Sequence, residues 1–160
     1  MTLADGAVGD FFGDASSLGS DAVIIGAPGR TTTLAPGSGA AFVFRKPATS
    51  WTQTQQILSS DAAEGDRFGT AISQYGKVVI VGAPGVDVTN PNEGSAYLFS
   101  DVSGTFEQEA KLTAPGGRSG DWFGASVAVD MTTAVVGAFQ ADPDDFDGTP
   151  SIDQGCVYVF

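Results

Sequence analysis

The sequence predicts an all-β chain of repeated four-stranded units, the blades of a partial β-propeller. Three observations lead there. Phe-Gly recurs at Phe12-Gly13, Phe68-Gly69 and Phe123-Gly124, and the glycines lie 56 and 55 residues apart. Thirteen residues after each of these glycines stands a second signature, Gly26-Ala27-Pro28, Gly82-Ala83-Pro84 and Gly137-Ala138-Phe139. The chain carries 22 glycines and 8 prolines at the joins, and no stretch has a helical period. Self-similarity at a fixed period marks a repeat architecture, and four short strands in about 55 residues is the size of a blade.

Each unit reads as four segments. The first follows Phe-Gly, as in Ala71-Ile-Ser73 and Ala125-Ser-Val-Ala-Val129. The second is continuously apolar, Ala22-Val-Ile-Ile25, Val78-Val-Ile-Val81 and Ala134-Val-Val136, as suits a strand covered on both faces. The third begins at a glycine and carries aromatics two residues apart, at Phe42/Phe44, Tyr97/Phe99 and Tyr158/Phe160. Residues two apart share one sheet face. The fourth, Trp51 to Ile57 and Phe106 to Leu112, alternates apolar and polar residues, the pattern of an outer, half-solvated strand. The units span about residues 9–57, 65–112 and 120–160, and the third stops at Phe160 after its third strand. A blade buries little alone, so each is expected to stack on its neighbours, the Phe-Gly phenylalanines wedged between blades.

Composition narrows the function. With 42% hydrophobic residues the chain can pack a core. A net charge of −12 repels phosphate backbones, so nucleic acid is not an expected partner. There is no histidine, which removes histidine acid–base chemistry and histidine metal ligands. The single cysteine, Cys156, reads as a small filler of an apolar strand. No apolar run approaches the ~20 residues of a membrane span, so membrane insertion is not expected. No nucleophile pairs with a histidine and no phosphate-binding loop is present, so the chain does not read as an enzyme.

Phe-Gly, then an apolar strand ending in Gly-Ala-Pro, then Gly-x-Ala-Tyr-x-Phe resembles the FG-GAP repeat, with three copies in register along essentially the whole chain. That family builds the integrin α-subunit propeller and related surface proteins. The resemblance implies a radial propeller, an extracellular or cell-surface location, and adhesion or ligand binding. Integrin-type repeats often carry an aspartate-rich calcium loop between the first and second strands. Here those hairpins read Ser17-Leu-Gly-Ser-Asp21, Gln74-Tyr-Gly-Lys77 and Asp130-Met-Thr-Thr133, which lack the clustered carboxylates that Ca²⁺ requires. Calcium is therefore not carried over to them.

A residue present in every unit reads as scaffold; a residue unique to one unit reads as local. Gly-Asp-x-Phe-Gly occurs three times, so Asp10, Asp66 and Asp121 are expected to accept backbone N–H groups and fix the turn into the first strand. The segments joining second to third strands differ strongly, and variable polar loops on a rigid scaffold carry recognition. Arg30, Asp87, Asn90, Asn92 and Glu93 are the ligand-binding candidates on them. The third such loop is the most acidic. Asp142, Asp144, Asp145 and Asp147 could hold Ca²⁺ or stand as a solvated acidic loop.

These readings converge on a non-catalytic binding or adhesion scaffold for a protein or carbohydrate ligand. A structural repeat spacer and an accessory or catalytic propeller of a secreted hydrolase are the alternatives. Three blades do not close a ring, since propellers hold about four to eight. Open apolar faces at both terminal blades are expected, to be met by further blades in cis or by self-association.

Overall fold

The computed structural model describes residues 1–47, 49–142 and 154–160. Among them the chain is all-β, with eleven strands in three antiparallel sheets. The first sheet holds β1 (Ser16–Leu18), β2 (Ala22–Ala27), β3 (Ala40–Arg45) and β4 (Thr52–Ile57) in chain order. The second repeats it with β5 (Ala71–Tyr75), β6 (Val78–Ala83), β7 (Ser95–Val102) and β8 (Thr105–Leu112). The third holds β9 (Ser126–Val129), β10 (Ala134–Ala138) and β11 (Cys156–Val159). This is the predicted partial propeller, one sheet per unit.

The repeat reaches into the details of pairing. β3 and β4 shift register between Val43 and Phe44, and β7 and β8 shift at the corresponding Leu98 and Phe99. The β7–β8 hairpin turns through Ser103 and Gly104, both at positive φ (56° and 94°). That pairing of two left-handed residues matches the right-handed twist of the strands it joins.

The core lies between the sheets. Phe68 is fully buried in one cluster with Ile24, Ala41, Val43 and Ile57 of the first blade and Val79, Val81, Tyr97 and Phe99 of its own. Its ring meets Tyr97 at 5.6 Å and Phe99 at 5.9 Å, both edge-on. Phe123 repeats the arrangement against Tyr158 (5.3 Å) and Phe160 (6.0 Å), and its cluster includes Ile80 and Ala96 of the second blade. The phenylalanines are thus the expected wedges.

Backbone contact completes the joint. The Phe68 N–H donates to the Ser38 carbonyl at 2.9 Å, and the Phe123 N–H donates to Glu93 at 2.9 Å. Gly39 and Gly94 form parallel bridges with Phe68 and Phe123. A Cβ on Gly26 or Gly82 would overlap the carbonyl oxygen of Gly69 or Gly124 of the following blade. Only glycine permits so close a backbone approach.

Side chains clamp the outer rim. The Gln55 amide donates to the Phe106 carbonyl and accepts its N–H, both at 2.8 Å. Arg45 pairs with Asp21 of its own blade and with Asp101 of the next at 2.6 Å. Gln108 exchanges two hydrogen bonds of 3.0 Å with Ser60.

The two terminal faces differ from each other. On the first blade Leu3 and Phe12 cover Phe42 and Phe44, which are buried, so this face is partly closed rather than open. On the third blade Val157 and Val159 are 67% and 69% exposed. There β10 alternates buried and half-buried residues instead of being covered on both faces.

Candidate functional site

The loops joining second to third strands lie on one face with the joins between blades. The Gly65 N–H donates to the Pro36 carbonyl, and the Gly120 N–H to that of Pro91. On this face the three copies of Gly-Asp-x-Phe-Gly set the geometry. Asp10, Asp66 and Asp121 are buried. Each accepts the N–H three residues earlier, from Ala7 (2.8 Å), Ala63 (2.7 Å) and Arg118 (2.8 Å). The carboxylates hold the turn, as the repeat rule expects of a residue present in every unit.

Their charge environments differ. Burial pushes Asp10 up, but the Ala7 N–H and the Arg30 guanidinium at 2.6 Å outweigh it and hold its carboxyl below the ordinary value of 3.8. Burial pushes Asp66 up, with the Asp61 and Asp87 charges adding to it, and its single backbone N–H does not compensate.

The residue between the constant Asp and Phe is different in each unit: Phe11, Arg67 and Trp122. All three adopt left-handed backbone, with φ of 54°, 57° and 57°. A bulky side chain there costs roughly 1–2 kcal/mol, and it persists only where the surroundings over-determine it. They do: the neighbouring Asp is pinned, and the preceding blade holds the chain through Arg67 N–H to Gly37 (3.4 Å) and Trp122 N–H to Asn92 (3.2 Å).

The same strained backbone therefore presents three unlike side chains in a row. Phe11 is 68% exposed. The Arg67 guanidinium lies 5.2 Å from the centre of the Trp122 ring, and Trp122 in turn lies 6.5 Å from the exposed Phe139. A groove of about 500 Å³ runs between Phe11 and Arg67, with Asp14, Pro28, Gly29, Gly37, Gly65 and Thr70 as its other walls. It offers an aromatic face, a cation, a carboxylate and a hydroxyl within one open depression. Those are the groups that stack on a ring or an apolar side chain and orient it by hydrogen bonds.

The residues nominated from the sequence sit on the same face, engaged mostly with their own loops. Arg30 is half-buried, bonded to Asp10 and to Asp5 at 2.6 Å each. Glu93 is buried and accepts from the Thr89 N–H at 2.7 Å and the Asn90 amide at 2.5 Å. Burial pushes Glu93 up, yet those donors hold it below its ordinary value of 4.5. Asp87 accepts the Asn92 N–H at 2.8 Å, and Asn92 takes the left-handed backbone that Gly37 takes in the first blade. Asp87 and Asn90 remain exposed, and Asn90 with Glu93 lines a smaller depression of about 220 Å³. Phe11, Arg67 and Trp122 were not nominated, although the signal was available: one variable position inside an otherwise constant motif.

Of the acidic-loop residues, Asp142 is described, whereas Asp144, Asp145 and Asp147 lie outside the described residues. Among the described residues no three acidic or cysteine side chains gather as metal ligands would.

Four-stranded sheets joined face to face by phenylalanine wedges, with variable loops gathered on one rim, define a propeller-type scaffold. The family model of the FG-GAP repeat matches residues 1–44, 51–99 and 106–160, and the chain belongs to that family. Such repeats are typical of extracellular and cell-surface proteins. Among the described residues no helix is long and apolar enough to cross a membrane.

Proposed function

We propose that this chain is a non-catalytic binding module of an extracellular adhesion or recognition protein. In this reading its loop face takes a carbohydrate or protein ligand in the groove between Phe11 and Arg67. One observation carries the reading. Three unlike, partly exposed side chains (Phe11, Arg67, Trp122) stand on the same strained backbone, where a small residue or glycine would fold at lower cost. A scaffold selected only as a spacer has no use for that strain. The loop residues Asp87 and Asn90 stand on the same face and would widen the contact beyond the groove.

The test is a glycan array together with capture of extracellular proteins, using the chain and its Phe11→Ala and Arg67→Ala variants. Both variants alter exposed side chains and should leave the thermal transition within a few degrees of the parent or above it. Ligands retained by the parent and lost by both variants support the reading. Binding that survives both substitutions, or an array and capture that return no ligand, points to the spacer role instead.

A further inference from the structure

Cations are scarce in this chain, with 7 lysines and arginines against 19 aspartates and glutamates. Arg30 and Arg45 each pair with two carboxylates, and Lys111 pairs with one. Arg67 differs. Among the described residues its guanidinium meets no carboxylate and no hydrogen-bond acceptor. What holds it is the ring of Trp122, whose centre lies 5.2 Å away. Cation–π attraction engages the charge of a guanidinium and leaves its N–H donors unused. Trp122 belongs to the third blade, so one blade fixes where the donors of another stand. Those donors border the groove of about 500 Å³ between the first and second blades, a joint internal to the chain.

The groove's other walls supply what a guanidinium does not. Phe11 lies across the Gly29 backbone, where a Cβ would run into its ring, and Pro28 lines the groove with it. Two acceptors complete the lining. Asp14 is exposed, and among the described residues its carboxylate has no partner. The Thr70 hydroxyl donates to the Arg67 carbonyl at 2.7 Å, which leaves its oxygen to accept. A ligand matched to these walls needs an apolar face for Phe11, hydroxyl donors for Asp14 and Thr70, and an anionic group for Arg67. A planar carboxylate meets the guanidinium fork with two parallel hydrogen bonds. One unpaired cation in a chain of net charge −12 suits a single negative charge and not a polyanion.

We propose that the groove takes an acidic sugar, a pyranose ring bearing one carboxylate at the end of an otherwise neutral glycan. This rests on the reading of the loop face as a binding surface. The C–H face of the sugar lies on Phe11, its hydroxyls donate to Asp14 and Thr70, and its carboxylate pairs with Arg67. Trp122 is a positioning residue, which touches no ligand and holds the guanidinium at the edge of the groove.

Isothermal titration of the whole chain with the methyl glycosides of glucuronic acid and of glucose tests this, since the two sugars differ only in carboxylate against hydroxymethyl. The acid should bind about tenfold or more tighter than the neutral sugar. Arg67→Ala should erase that preference while the neutral sugar binds as before. Arg67→Lys, which keeps the charge without the fork, should retain only part of it. Trp122→Leu should weaken binding of the acid alone, a selectivity that a merely structural role would not produce. Circular dichroism should show the sheets intact in all three variants. Equal affinity for the two glycosides, or a preference that survives Arg67→Ala, would overturn the proposal. If Phe11→Ala then abolishes the shared binding, the loop face stands as a binding surface and the acid specificity alone fails. Tighter binding of methyl glucosaminide would move recognition to Asp14 and overturn the proposal likewise. Binding of neither glycoside also overturns it, and the glycan array and protein capture then decide the broader reading.

Discussion

Replacing Phe68 by alanine removes a ring that two blades share, and replacing Phe12 removes its counterpart from a blade with one neighbour. The two rings make nearly the same aromatic contacts within their own blades. Phe68 meets Tyr97 and Phe99 at 5.6 and 5.9 Å, and Phe12 meets Phe42 and Phe44 at 5.9 and 6.0 Å. Those pairs, worth about 0.5–1.5 kcal/mol each, cancel in the comparison. What remains is the first blade's face, Ile24, Ala41, Val43 and Ile57, which packs in the Phe68 cluster and has no counterpart beside Phe12. A buried phenylalanine cut to alanine costs about 3–5 kcal/mol, part of it for the cavity left behind. Phe12, partly exposed, should cost about 1–2 kcal/mol by its smaller loss of buried area. Urea unfolding reads both values as midpoint shifts at constant slope. Equal costs for the two substitutions would refute the claim that one blade's apolar face stabilises the next.

Four further outcomes follow from particular contacts. Gln55→Ala strips both partners from the Phe106 main chain and should cost about 1–3 kcal/mol in the same urea titration, whereas Gln53→Ala on the exposed side of β4 should cost almost nothing. Gly82→Ala drives a Cβ into the Gly124 carbonyl and should destabilise far more than Gly104→Ala, whose strain is confined to a hairpin turn; calorimetric transition temperatures rank the two. Asp10, Asp61, Glu93 and Asp101 all have carboxyls held below their ordinary values in the fold. Each therefore contributes stability that is present above its unfolded value, 3.8 for aspartate and 4.5 for glutamate, and lost as the pH falls through its folded value. Stability measured against pH should fall steeply on the acid side of about 4.5. Asp66 has the opposite sign, raised in the fold, so its ionised form opposes folding; Asp66→Asn, which keeps an acceptor for Ala63, should cost less at neutral pH than Asp10→Asn, which weakens the Arg30 pairing.

The blades were legible because their information is local and repeated. Phe-Gly, Gly-Ala and the paired aromatics occur in register, so the strand order and the wedge role of Phe68 and Phe123 could be read from spacing alone. The constant aspartates were legible for the same reason. The loop candidates were read less well, since composition does not say whether a polar side chain faces out or in. Arg30 and Glu93 look like surface charges in the sequence, yet Arg30 is turned toward Asp5 and Asp10 of the N-terminal segment and Glu93 toward donors of its own loop. Likewise, the first blade's leading face reads as open from the repeat count. It is partly covered because Leu3, outside the repeated motifs, reaches back over it.

The position proposed to carry the site is visible only when backbone and sequence are set side by side. At the variable residue of Gly-Asp-x-Phe-Gly the backbone is nearly identical in all three units, and the side chains are phenylalanine, arginine and tryptophan. The buried aspartate, joined in the second and third units by the preceding blade's carbonyl, fixes the turn without help from that side chain. The side chain at this position is thus not needed to fix the turn, while its strain is met by its neighbours. A repeat protein can vary such a residue freely in each blade, and the row that results lies beside the groove on the loop face. The rigidity of the blade joints is what gives that row a constant spacing. The same Phe-Gly segments thus serve two ends of the geometry: Phe68 and Phe123 lock blade to blade, and the residue just before each one stands on the loop face.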